Sequence, residues 1–170
     1  MNKLLSHLCA SVFICGLLSG CIGGGAIANR PAMFEPTQMR INPTFTRFRS
    51  VDGEGSAQGI EADVELRDPF DDATKGAGAI YFELFEYVPQ GADARGPRLG
   101  EPARYDLSTI GAQQRHWQNI VRTYRFDLPW QGLDPTQRYV LSATYLPPEG
   151  SSGERLFDRL VILPDAGADE

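Results

Sequence analysis

The sequence predicts an all-β fold, an antiparallel sandwich of two sheets with about seven strands. Three observations predict it. Apolar and polar residues alternate along several short segments, which is the period of a strand buried on one face. Turn-forming residues separate these segments. No long segment shows the 3.6-residue period of a helix.

Composition and charge narrow the class of protein. The chain has 170 residues, of which 42% are hydrophobic and 22% charged, close to the average for one globular domain. This balance excludes a disordered polymer and a protein with several membrane spans. The net charge is −6, from 16 basic and 22 acidic residues. A nucleic-acid partner is therefore not expected, because such a protein needs a broad basic face.

The first element is a predicted secretory signal peptide, residues 1–20. Lys3 provides the positive start, and residues 4–18 form an apolar stretch too short for a membrane span. The stretch ends in Leu18-Ser19-Gly20-Cys21, which resembles the lipobox of bacterial lipoproteins. The resemblance implies cleavage before Cys21 and a diacylglycerol on its sulfur, anchoring the chain in the bacterial cell envelope. The alternative is an ordinary signal peptide cleaved elsewhere, with Cys21 left as a free thiol.

The residues around the predicted cleavage point carry two further implications. Ile22 stands where the inner-membrane sorting signal of these lipoproteins has Asp, so the resemblance favours the outer membrane. The other two cysteines, Cys9 and Cys15, lie in the predicted signal peptide. The processed chain would then have no disulfide, and its stability would depend on its hydrophobic core.

The predicted tether and domain follow. Residues 21–35 contain Gly23-Gly24-Gly25 and then polar and Pro-bearing sequence, a composition typical of a flexible tether. Residues 36–164 form the predicted sandwich domain. Residues 165–170 are predicted to be a solvated acidic tail.

The first strands of the domain are predicted at residues 44–49 and 59–67. In the second of these, Ile60, Ala62, Val64 and Leu66 would face the core, with charged residues between them on the other face. Turn formers fill residues 68–76, and the next strand occupies residues 79–88. We expect the strands at 59–67 and 79–88 to form a hairpin-like pair.

The remaining elements complete the sandwich. Residues 90–102 are rich in Gly, Pro, Ala and Arg and predict a long irregular loop. Residues 109–115 predict one turn of helix at most. The other predicted strands are residues 104–107, 117–128, 139–146 and 155–163.

One motif makes the sandwich prediction more specific. Residues 133–143, LDPTQRYVLSA, resemble the Leu-x-Pro-x-x-x-Tyr-x-Leu-x-Ala run of immunoglobulin-like and fibronectin type III domains. The resemblance implies that the Tyr139 hydroxyl bonds to upstream backbone as a tyrosine corner, and that Leu141, Ala143 and Tyr145 face the core. The alternative is a loop followed by an unrelated strand.

The strand at residues 79–88 contains the candidate binding site. Ile80, Phe82 and Leu84 make one face, the predicted core face. Tyr81, Phe85 and Tyr87 alternate on the other, and three aligned aromatic residues facing solvent would mark a contact surface. The alternatives are that the loop at 90–102 covers them or that the two faces are exchanged.

The acidic turn Asp68, Asp71 and Asp72 is the candidate metal site, because oxygen ligands close together suit calcium. Its spacing does not match an EF-hand, and the same residues are typical of a plain connecting turn.

Residues for catalysis are scarce. His116 is the only histidine after the predicted cleavage point, and no Gly-x-Ser-x-Gly motif is present. A structural zinc site lacks ligands, so no cofactor is expected. The sequence therefore predicts a non-enzymatic, lipid-anchored binding or adaptor module for a protein partner. The alternative is a carbohydrate- or calcium-binding module at the cell surface.

Overall fold

The chain folds into two antiparallel β-sheets packed face to face, which confirms the predicted all-β sandwich. The computed structural model describes residues 33–49, 57–90 and 93–164. The predicted signal peptide, Cys21, most of the tether and the acidic tail at 165–170 lie outside the described residues.

The described part of the chain holds nine strands rather than about seven, and one helix. The elements are β1 (Gln38–Ile41), β2 (Arg47–Phe48), β3 (Ile60–Arg67), β4 (Ala79–Tyr87), β5 (Arg95–Asp106), α1 (Ile110–His116), β6 (Trp117–Gln118), β7 (Thr123–Leu128), β8 (Tyr139–Leu146) and β9 (Leu156–Ile162). The first sheet has the order β1-β3-β7-β6, with β2 also paired to β3, and the second has the order β5-β4-β8-β9. Helix α1 joins β5 to β6.

The core lies between the sheets and is built from the alternation seen in the sequence. Four residues of β3 and three of β4 are fully buried, as predicted; they are Ile60, Ala62, Val64, Leu66, Ile80, Phe82 and Leu84. Aromatic rings join the two layers, with the Phe82 and Phe126 ring centroids 5.1 Å apart. Burial of these apolar side chains is the main source of stability, because it removes their surface from water.

The predicted hairpin between the strands at 59–67 and 79–88 is wrong. β3 pairs with β1, β2 and β7, whereas β4 pairs with β5 and β8, so the two strands lie in different sheets. Residues 68–78 cross from one sheet to the other. Turn-forming residues show that the chain reverses direction, but the partner of each strand is set by distant segments whose apolar faces share the core.

The predicted irregular loop at 90–102 is also wrong in its second half, because β5 begins at Arg95. β5 is an edge strand, and its register against β4 shifts between Phe82 and Leu84 and again between Phe85 and Tyr87. Pro97 and Pro102 are tolerated there because an edge strand leaves one row of backbone groups unpaired. These bulges interrupt the alternation of inward and outward residues, so the sequence pattern of β5 does not indicate a strand.

Two predicted elements differ in extent. The single strand predicted at 117–128 is two, β6 and β7, joined by a turn in which Arg122 has a φ of 56°. Helix α1 has seven residues, about two turns rather than one. The Thr109 side chain caps it, accepting the Ala112 N–H at 3.2 Å.

The tyrosine contact predicted at the start of β8 is present. The Asp134 N–H donates to the Tyr139 hydroxyl at 3.1 Å. Tyr139, Leu141, Ala143 and Tyr145 are buried in the core, as predicted. The outward residues of β8 are also buried, which shows that other groups cover the outer face of this strand.

Candidate functional site

The structure places the three predicted aromatic residues on the outer face of β4, opposite the core. Tyr81, Phe85 and Tyr87 are half-buried there. Along the stretch from Tyr81 to Phe85, half-buried outward side chains alternate with side chains that are buried in the core. We call the outer surface of the second sheet the arginine–aromatic face. It comprises Tyr81, Glu83, Phe85, Tyr87, Arg95, Arg98, Arg104, Arg138, Phe157 and Arg159.

An arginine lies over each of the three predicted aromatic rings. The guanidinium carbon of Arg104 is 5.6 Å from the Tyr81 ring centroid, and that of Arg95 is 5.1 Å from the Phe85 centroid. Arg138, next to β8, lies 5.7 Å from the Tyr87 centroid. Each contact is a cation–π interaction worth about 0.5–1 kcal/mol at an exposed site.

Strand register brings these pairs together. Arg104 is directly opposite Tyr81 across the β4–β5 ladder, so the two side chains project from the same face. Arg95 is opposite Tyr87 but reaches diagonally to the ring of Phe85. Since the pairing depends on the bulged register of β5, it could not be deduced from the sequence.

A row of polar side chains crosses the middle of this face. Glu83, Ser142 and Arg159 are register partners on β4, β8 and β9. Arg98 pairs with Glu83 at 3.4 Å. The Ser142 hydroxyl is buried and has no hydrogen-bond partner among the described residues, which is unusual for a buried polar group.

Asp93, just before β5, links two arginines of the face. Asp93 accepts a hydrogen bond from Arg95 Nε at 2.7 Å and forms an ion pair with Arg159 of β9 at 3.1 Å. β5 and β9 are separated by two strands, or about 14 Å. The ion pair between Asp93 and Arg159 therefore spans the outer side of the strands between β5 and β9. The hydrogen bond from Arg95 is the main cause that lowers the pKa of Asp93.

The face is therefore basic and aromatic on a chain that is acidic as a whole. Five arginines lie on it. Glu83 on the face and Asp93 at its edge pair with three of them, and Asp106 lies two residues from Arg104 on the same side of β5. Arginine and aromatic side chains are enriched at the centres of protein interfaces. The sequence prediction found the rings but missed the arginines over them. Arg95 and Arg98 fall in the segment that the sequence predicts as an irregular loop, and their spacing of three residues does not indicate a shared face of a strand.

The three aspartates of the candidate metal site close a turn. Asp68 Oδ1 accepts the N–H groups of Phe70 at 2.9 Å and Asp72 at 3.1 Å. The Asp71 carboxylate pairs with Arg67 at 3.0 Å, and its backbone has a φ of 66°. Within the described residues, no group of three or more His, Cys, Asp or Glu side chains is placed to hold a metal ion. The calcium site stays a prediction without support from this geometry.

His116 ends helix α1 and packs at the edge of the sandwich. Its ring stacks on Phe126 with centroids 4.8 Å apart and meets Tyr105 edge-on at 5.4 Å. Its Nδ1 lies 2.9 Å from the carbonyl oxygen of Arg125, so a neutral ring carries its proton on Nδ1. His116 also borders a groove of about 410 Å³ lined by Tyr105, Arg115, Gln118, Arg125 and Asp127. These contacts give the ring a packing role.

No helix in the described ranges is long and apolar enough to cross a bilayer. Comparison with known proteins gives no matching family model, no matching curated protein and no matching solved structure. The resemblances to bacterial lipoproteins and to immunoglobulin-like domains therefore stay predictions from the sequence. The case for function depends on the residues themselves.

Proposed function

We propose that this protein is a non-enzymatic, lipid-anchored component of the bacterial cell envelope that binds a protein partner through the arginine–aromatic face. The anchor is Cys21, and the motif Leu18-Ser19-Gly20-Cys21 with Ile22 after it favours the outer membrane. The domain acts as an adaptor that holds its partner at the membrane surface.

One observation carries the binding role: each of the three aromatic rings on the outer side of β4 lies beneath an arginine. Such pairs present flat, rigid surface together with charge. They lose little side-chain entropy on binding, because the ring already positions the guanidinium group. This supports an interface centred on Phe85.

Charge indicates the chemistry of the partner. Arg104 and Arg138 have cation–π contacts with tyrosine rings and are exposed. An acidic surface on the partner could pair with both while covering the rings between them. Association would then be faster at low ionic strength, since salt screens such charges.

The test is photocrosslinking of the full-length protein in the native envelope. A photoreactive phenylalanine analogue replaces Phe85, and a matched control carries it at Arg40. Arg40 is exposed on β1, in the other sheet. We expect a defined protein adduct at position 85 and none at position 40. Adducts of the same identity at both positions, or none at 85, would contradict the proposal.

A charge-reversal variant separates specific binding from mere proximity. Arg104→Glu with Arg138→Glu should reduce the yield of the adduct at position 85 at least tenfold. Arg47→Glu is the control, because Arg47 is an exposed arginine of the other sheet. It should leave the yield unchanged.

A further inference from the structure

The described chain begins at one end of the sandwich, which we call the N-proximal end. It comprises residues 33–37, the crossover 68–78, the start of α1, the turn 119–122 and the β8–β9 connection 147–155, which shares a groove with Phe34 and Pro36. Hydrogen bonds tie these segments into one surface. Thr74 Oγ1 donates to the Phe34 carbonyl at 3.1 Å, and Arg122 donates to the Ala73 carbonyl at 2.7 Å. Gln113 of α1 donates to the Gly76 carbonyl at 2.9 Å.

Exposed apolar side chains concentrate at this end. Among the described residues nine large hydrophobic side chains are exposed, and five belong to the N-proximal end. Each projects from the chain start or from the tip of a connecting segment. They are Met33 (61% exposed), Phe34 (67%), Phe70 (62%), Ile110 (78%) and Ile120 (97%). Several exposed apolar side chains at one end of a domain favour a surface that is removed from water by a partner or a lipid.

We propose that the N-proximal end rests in the interface of the membrane that holds Cys21, with Phe34, Phe70 and Ile120 inserted between lipid headgroups. The inference rests on the proposed lipid anchor. Twelve residue steps separate Cys21 from Met33, and they span at most about 40 Å. The anchor thus keeps this end close to the bilayer, where its effective concentration makes weak insertion sufficient.

The charges at this end indicate which lipids it suits. Lys75, Arg122 and Arg155 are exposed there, but so are four acidic residues, Asp71, Asp72, Glu149 and Glu154. Because both signs are present, attraction to anionic lipid does not drive the contact. Apolar and aromatic side chains provide the affinity, and we expect insertion into zwitterionic lipid with little dependence on salt.

Such docking would fix the orientation of the domain relative to the membrane. β3 ends and β4 begins at the N-proximal end, so the strands run from this end to the opposite one. With that end on the bilayer, the strands rise from the membrane. The arginine–aromatic face then points sideways, where a partner beside the protein can reach it.

The test uses the full-length, processed protein in vesicles of phosphatidylcholine and phosphatidylethanolamine. A cysteine is introduced by Ile120→Cys and labelled with the environment-sensitive fluorophore NBD. The matched control is Phe45→Cys, an exposed position in the turn after β1, at the opposite end. Quenching by lipids that carry a spin label on the acyl chain is then measured. We expect strong quenching at position 120 and at least threefold weaker quenching at position 45.

The outcomes separate docking from anchoring. The parent protein without an introduced cysteine takes up no NBD if Cys21 is lipidated. Labelling of the parent would overturn the anchor and this inference with it. A lipidated parent with equal or absent quenching at the two positions would overturn docking alone. A blue shift at position 120 that needs high protein density and shows no lipid quenching would assign this end to a second copy, and would also overturn docking.

Discussion

Asp63 is a charged residue in a strand whose other acidic residues reach solvent. Its side chain is fully buried, and it accepts hydrogen bonds from Thr123 Oγ1 at 2.9 Å and from Arg125 Nη2 at 3.0 Å. The sequence prediction placed it among the outward residues of β3, which is correct, but the neighbouring strand β7 covers it. A buried carboxylate is tolerable only while these donors remain.

We expect Arg125→Leu to lower the free energy of unfolding by about 2–4 kcal/mol, because it leaves the Asp63 carboxylate without its cation. Urea denaturation measures this change. The control is Arg47→Leu, since Arg47 pairs with Glu61 but is 71% exposed, and such pairs contribute about 0–1 kcal/mol. Similar losses in the two variants would show that the ion pair to Asp63 has no special role.

Two core tyrosines predict how stability responds to alkaline pH. Burial raises the pKa of Tyr124 and of Tyr145 to about 12. The Tyr124 hydroxyl donates to Gln113 and accepts from the Gly76 N–H, while that of Tyr145 donates to the Ala77 carbonyl. Since the unfolded chain ionises near pH 10, their contribution is complete below that pH and disappears as the pH rises through about 12.

Absorbance titration of tyrosinate checks this directly. Of the six tyrosines, Tyr124 and Tyr145 should ionise last, together with unfolding measured by circular dichroism. In Tyr124→Phe the late phase should lose about half of its amplitude. A titration in which all six ionise together near pH 10 in the folded protein would contradict the assignment.

At the scale of elements, glycine sets where β4 starts. Gly78 immediately precedes β4 and has a φ of 127°, and a Cβ built on it would lie 2.3 Å from the backbone oxygen of Leu146. Backbone of the neighbouring strand β8 cannot move away without breaking the β4–β8 ladder. Gly150 also has a positive φ, 78°, but a Cβ there meets nothing within 4 Å.

We therefore expect Gly78→Ala to cost about 3 kcal/mol or more and Gly150→Ala about 1 kcal/mol, since only the first adds a clash to the backbone strain. Thermal and urea unfolding of both variants provide the comparison. Equal costs would mean that the ladder adapts to the added methyl group, and that β4 does not depend on a glycine at its start.

The same elements show how far the sequence predicts this fold. β3, β4 and β8 follow a regular period of two, and their positions and core faces were predicted within a residue or two. β5 was missed because its prolines and bulges remove that period while its backbone still pairs with β4. Pairing was not predictable for β3 and β4, because partner choice depends on contacts between distant segments.

The candidate site, like the fold, is predictable from the sequence only in part. The alternation of Tyr81, Phe85 and Tyr87 is local, and it gave their shared face correctly. The arginines over them come from β5 and from the segment before β8, so they meet the rings only in the folded sheet. The local sequence pattern predicts which residues of one strand share a face. Which side chains of the neighbouring strands join them there depends on the register of the sheet.

At the scale of the whole molecule, a side chain joins the edges of the two sheets. β1 is an edge strand of the first sheet and β9 of the second. The Ile41 N–H donates to Asp158 Oδ2 at 2.7 Å, across the gap between these edges. Asp158 thus occupies a backbone donor that would otherwise be unpaired, and this protects the edge from adding a strand of another chain.

We expect Asp158→Ala to lower the free energy of unfolding by about 1–2 kcal/mol, because it leaves the Ile41 N–H without an acceptor in a buried setting. Amide hydrogen exchange should accelerate at Ile41 and its β1 neighbours while the β4–β8 ladder stays protected, since the loss opens one edge and leaves the core packed. Asp158→Asn retains an acceptor oxygen and should show less than half of both effects. Equal effects of the two substitutions would show that charge, rather than the hydrogen bond, joins the sheets at this edge.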